Sequence, residues 1–159
     1  MAKSVNKFPP SVVVLALLLS SPIAWANGIS VSLSPSNQTV NRGESPKFIV
    51  EARAIGKPAR IMKFASRPDL LDNYARIRIT KGGKPIEIVP LVSEPGPVSE
   101  SDYMLVPANQ SISFPHRGTP FDLTKLPPGN YSASVTVWPS VQDKSSFASN
   151  SVSFRVVQK

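Results

Sequence analysis

The sequence predicts an all-β fold, a two-layer sandwich of about seven to nine mostly antiparallel strands. Three observations predict it. Apolar residues recur with a period of two rather than 3.6. Seventeen prolines and eight glycines break the chain into short runs, which rules out long helices. No cysteine is present, so packing and backbone pairing alone must hold the fold together.

The elements follow in order. "ISVSLSP" (29–35) puts Ile29, Val31 and Leu33 on one face and serines on the other. "KFIVEARAI" (47–55) sets Phe48, Val50, Ala52 and Ala54 against Ile49, Glu51, Arg53 and Ile55. "ARIMKF" (59–64) reads as a shorter strand, and "SRPDLLDN" (66–73) as a connection with one helical turn. "YARIRIT" (74–80) turns Ala75, Ile77 and Ile79 inward and Arg76 and Arg78 outward, and "PIEIV" (85–89) answers with Ile86 and Ile88. A two-residue turn at Gly82-Gly83 pairs Lys81 with Lys84, Ile79 with Ile86, Arg78 with Glu87 and Ile77 with Ile88. A slip by one residue would set isoleucines against charges. "VSEPGPVSES" (92–101) reads as a loop, followed by strands around Leu105 and Ile112. In "LPPGNYSASVTVW" (126–138), Tyr131, Ala133, Val135 and Val137 face one way and Ser132, Ser134, Thr136 and Trp138 the other. "SVSFRVV" (151–157) closes the set with Val152, Phe154 and Val156 inward.

The first 26 residues are expected to be a secretory signal peptide. Lys3 and Lys7 form a basic start, "SVVVLALLLSS" (11–21) a short apolar core, and "AWA" (24–26) a small-residue cleavage site. The apolar run falls short of the ~20 residues that cross a bilayer, so the mature form carries no transmembrane anchor. Residues 27–159 then form one domain, periplasmic or secreted. Loss of Lys3 and Lys7 lowers the net charge from +8 to +6. The positive charge is concentrated between Arg42 and Lys84, with eleven Lys or Arg against four Asp or Glu. Such a surface favours anionic partners.

No residue pattern carries chemistry. A Ser-His-Asp hydrolase needs a proton shuttle, and the single histidine, His116, sits in "SFPHRGTPF", which reads as a solvated loop. No Gly-x-Ser-x-Gly turn or phosphate-binding loop occurs. Glu100 and Asp102, two apart, would share a face on a strand, but calcium requires more oxygens than these. The expectation is a protein that is not an enzyme and takes no cofactor or metal. The basic segment lacks the interleaved aromatics of single-strand nucleic-acid binders.

"LPPGNY" before an alternating strand resembles the tyrosine corner of immunoglobulin-like domains, with Tyr131 in the tyrosine's place. Ala133 stands where antibody-type domains have a cysteine, and their core tryptophan is missing. A longer resemblance joins "VSL" (31–33), "EARAIG" (51–56), "IMKFASRPDLLDNYARIRITKGG" (61–83), "LVP" (105–107), "FDL" (121–123), "GNY" (129–131) and "SNSVSFRV" (149–156). This order is similar to the N-terminal β-sandwich module of secreted metallopeptidases of the deuterolysin and lysine-specific type. The His-Glu-x-x-His zinc helix of the peptidase domain is absent from the sequence. The resemblance implies a single immunoglobulin-like β-sandwich and an association with extracellular proteolysis, and it brings no catalytic residue.

The expected function is that of an exported protein-binding module, protease-associated or inhibitor-like, whose protein partner the sequence does not name. The alternative is an anion-binding envelope protein that meets acidic lipid or glycan through Arg53, Lys57, Arg60, Lys63 and Arg67. The leader makes a direct prediction. The intact mass of protein recovered from the periplasm or medium corresponds to a chain starting at Asn27; retention of the leader in the recovered protein contradicts it.

Overall fold

The computed structural model describes residues 28–87, 94–116, 123–142 and 144–158. The expected leader lies outside them, as do Ile88 and most of "FDL". Among the described residues eleven strands and one short α-helix occur in the order β1 (Gly28–Pro35), β2 (Thr39–Asn41), β3 (Phe48–Ile55), β4 (Ala59–Met62), α1 (Pro68–Tyr74), β5 (Ala75–Lys81), β6 (Lys84–Pro85), β7 (Tyr103–Val106), β8 (Ser111–His116), β9 (Gly129–Val137), β10 (Phe147–Ala148) and β11 (Val152–Val157). The fold is therefore mostly β, as expected. The strand count exceeds seven to nine because β2, β6 and β10 are only two or three residues long.

Three sheets form. The first has the order β1-β3-β8; the second runs β2-β11-β9-β5-β6, with β10 also on β9; β4 and β7 make a two-stranded third. All pairs are antiparallel except β2 with β11. The chain leaves the first sheet at Pro35 and joins the second at Thr39. Side chains alternate as the period of two requires: Phe48, Val50, Ala52 and Ala54 on β3, and Tyr131, Ala133, Val135 and Val137 on β9, are all buried. The two large sheets contribute to one apolar cluster. Across it the Phe48 and Phe154 rings meet edge to face at 5.6 Å, and Tyr131 stacks on Phe154 at 5.4 Å. Tyr131 Oη donates to the Pro127 carbonyl four residues upstream, the contact expected of its corner.

The β5–β6 turn confirms the predicted register near its tip. Lys81 pairs with Lys84, the Ile86 N–H donates to the Ile79 carbonyl at 3.0 Å, and Gly82 and Gly83 hold φ of 56° and 78°. Positive φ at both central residues is what this turn demands. Strand β6 ends at Pro85, however, and no Arg78–Glu87 ion pair forms among the described residues. The cross-strand neighbour of Arg78 is Ser134 on β9.

Two side chains tie the large sheets together at opposite edges. Register shifts by one residue between Ala148↔Thr136 and Val152↔Ala133, so a β-bulge separates β10 from β11. Asn150 in that bulge reaches β1: its Oδ1 accepts the Leu33 N–H at 2.9 Å and its Nδ2 donates to the Leu33 carbonyl at 3.1 Å. The amide thus pairs with an edge strand as another backbone would. At the other edge His116, expected in a solvated loop, is instead fully buried at the end of β8. Its Nε2 donates to the Ala75 carbonyl at the start of β5, 2.7 Å away. Strand β8 alternates, so His116 follows Ile112 and Phe114 inward. Replacing Asn150 by alanine leaves two partly buried backbone groups without that partner and lowers unfolding free energy by about 1–3 kcal/mol, read from urea denaturation; an unchanged midpoint contradicts the tie.

Candidate functional site

The five cations singled out from the sequence do not form one site. Alternation places Arg53 on the outward face of β3, beside Ser30 of β1 and Ser111 of β8, exposed to solvent. Lys57 sits on the three-residue connection 56–58 between β3 and β4, also exposed. The other three converge on one acidic turn. The Arg60 guanidinium pairs with Glu100 and lies 4.0 Å from the centre of the Tyr103 ring. Lys63 Nζ donates to the Ser101 carbonyl at 2.8 Å. Arg67 grips Asp69 with two bonds, Nε to Oδ1 at 2.9 Å and Nη2 to Oδ2 at 2.7 Å, and reaches Asp102 Oδ1 with Nη1 at 2.7 Å.

This turn is a 3-10 helix at Glu100–Asp102, not the strand on which Glu100 and Asp102 would share a face. Asp102 Oδ2 accepts the Ser99 N–H at 2.8 Å and the Ser99 hydroxyl at 3.0 Å, closing a capping box. The charges adjust accordingly. Hydrogen bonds from Arg67 hold the Asp69 carboxyl down to about 2. The Ser99 N–H, then Arg67, lowers Asp102. Asp69, then Asp102, raises the Arg67 guanidinium. Asp72 moves the opposite way, since desolvation and then the charge of Asp69 favour its protonated form. Arg60, Lys63 and Arg67 therefore fasten residues 99–103 to the segment from β4 to α1. Such paired groups present little free positive charge to a ligand.

The more open feature lies at the β3–β4 end. A cleft of about 630 Å³ is lined by Ile29, Ile55, Pro58 and Phe147, together with Lys57, Ser140, Gln142 and the Glu100-paired Arg60. Its wall is a rigid turn. Gly56 holds φ of 73° and donates its N–H to Asn109 Oδ1 at 3.3 Å, and the Lys57 N–H donates back to the Ile55 carbonyl at 2.8 Å. A side chain at residue 56 would strain this backbone, so the turn that carries Lys57 is conformationally specified. Of the wall residues, Ile55 was legible from the sequence as an outward apolar residue. Phe147 was not, because β10 is too short to display a period.

His116 is remote from solvent and bonded to backbone. Among the described residues no three His, Cys, Asp or Glu converge to hold a metal ion.

No family model matches the chain, and no curated protein is found to match it. Solved structures give distant matches. A β-glucosidase from Listeria innocua in complex with isofagomine aligns at 12% identity over 83% of this chain and 16% of its own, with a TM-score of 0.39. The alkylpurine DNA glycosylase AlkC of Pseudomonas fluorescens, bound to DNA containing an abasic site analog, aligns at 13% identity over 80% of this chain and 30% of its own, also at 0.39. The chain spans less than a third of either protein, and likenesses at this level assign neither family nor function.

The ionisations predict a pH dependence. Burial lowers His116 from 6.5 to about 4, so its neutral form favours the folded state. That contribution is complete above pH 6.5 and declines as pH falls from 6.5 towards 4. Asp69 and Asp102, both depressed from 3.8, contribute fully above that value and lose their contribution as pH falls below it. Urea midpoints measured from pH 7 to 3 fall in these two windows. The His116→Gln variant loses the upper-window decline; a decline unchanged in this variant contradicts the assignment.

Proposed function

We propose that the exported chain is an immunoglobulin-like β-sandwich that binds a protein partner and catalyses nothing itself. The cleft at the β3–β4 end carries this reading: an apolar depression with the Lys57 cation beside it, built on a constrained turn, suits a protein segment that offers an apolar side chain next to a carboxylate. The Tyr131 corner supports the immunoglobulin-like assignment, and the tripartite leader supports a periplasmic or extracellular site of action. The resemblance to modules of secreted metallopeptidases directs the search for a partner towards peptidases. The exported protein is expected to form a complex with a secreted metallopeptidase and to change its turnover. Replacing Ile55 by aspartate, at the cleft wall, weakens that complex by about tenfold or more through a desolvated charge. Absence of a complex and of any change in turnover across metallo-, serine and cysteine peptidases overturns the proposal.

A further inference from the structure

The outer face of the second sheet carries a charge pattern distinct from the cleft. Its strands β2, β5, β6, β9, β10 and β11 contain no aspartate or glutamate. Alternation turns Arg76 and Arg78 of β5 and Arg155 of β11 to the same outer face, and all three are exposed. None of them has a carboxylate partner among the described residues, whereas Arg60 and Arg67 each have one. Arg76 lies over the Trp138 ring, 5.5 Å from its centre.

Sheet register fixes how these groups are spaced. Arg76 neighbours Thr136 and Arg78 neighbours Ser134 on β9. Arg155 neighbours Asn130, on the far side of β9 and four positions further along it. With strands ~4.8 Å apart and ~3.3 Å per residue, Arg76 and Arg78 are about 7 Å apart at Cα, and Arg155 lies about 16 Å from Arg78. The three guanidinium groups mark a diagonal across the sheet. Between them run the hydroxyls of Ser132, Ser134 and Thr136, and the diagonal ends in an open groove of about 620 Å³ lined by Thr39, Ser132, Ser153 and Arg155.

We infer that this face binds a linear acidic polysaccharide. Guanidinium forks match carboxylate or sulfate groups geometrically, and serine and threonine hydroxyls between them both donate to and accept from sugar hydroxyls. A bilayer surface fits less well, because hydroxyls rather than insertable apolar side chains separate the cations. Single-stranded nucleic acid fits less well too, since the Tyr131 and Phe154 rings lining the groove are buried and Trp138 already has Arg76 over its face. The site differs from the five cations picked out in the sequence and does not depend on the cleft at the β3–β4 end.

Titration of the full exported protein with polygalacturonate and with heparin tests the inference. Binding to both should weaken steeply as sodium chloride rises from low to physiological concentration. The double variant Arg78→Ser/Arg155→Ser should lose at least about tenfold in affinity, while Arg53→Ser/Lys57→Ser, which removes the same charge elsewhere, loses less than about threefold. Arginine modification by phenylglyoxal gives a readout on the unmutated protein: polygalacturonate should protect Arg78 and Arg155 and leave Arg53 reactive. Equal losses in the two double variants, absence of protection, salt-independent binding, or tighter binding to phosphatidylglycerol vesicles or single-stranded DNA than to either glycan overturns it.

Discussion

Without cysteine, the relative position of the two large sheets depends on directional contacts between them. Apolar burial brings Phe48, Tyr131 and Phe154 together but is indifferent to small slides of one sheet over the other. The Asn150 amide on Leu33 and the His116 ring on Ala75 supply direction. They act at opposite edges of the β1-β3-β8 sheet, one through β1 and the other through β8. Each joins a side chain of one sheet to the backbone of the other. With both edges tied, the ring contacts between them keep one geometry, and the turns at the ends of the sheets inherit it.

That geometry gives six of the chain's cations two different fates. Arg60, Lys63 and Arg67 are drawn inward to the 99–103 turn, where carboxylates and a carbonyl absorb them. Arg76, Arg78 and Arg155 stand on a sheet whose strands offer no acid. A net charge describes neither set. What distinguishes them is whether an acidic group lies close in space, and that depends on strand order.

Much of the strand content was legible because alternation is local. The inward faces of β3, β5 and β9 could be read residue by residue, and the Gly82-Gly83 turn fixed its own register. Tyr131 was legible through its corner. His116 was misread because Pro115 and Arg117-Gly118 suggest a loop, although the step from Ile112 through Phe114 to residue 116 already pointed inward. Pairings across long separations were not legible: Asp102 lies 35 residues from Arg67, and Asn150 lies 117 from Leu33. The diagonal of arginines was hidden for the same reason, since parity gives each residue its face but not which strands are neighbours.

The seam at Asn150 also has a chemical lifetime. Its amide is followed by Ser151, a small residue that does little to shield the side chain from attack by the next backbone nitrogen. Deamidation there replaces the Nδ2 donor with a carboxylate oxygen facing the Leu33 carbonyl, so an attraction becomes a repulsion between two acceptors. The first strand would then keep its pairing with β3 but lose its tie to the β10–β11 bulge, without any change in the encoded sequence.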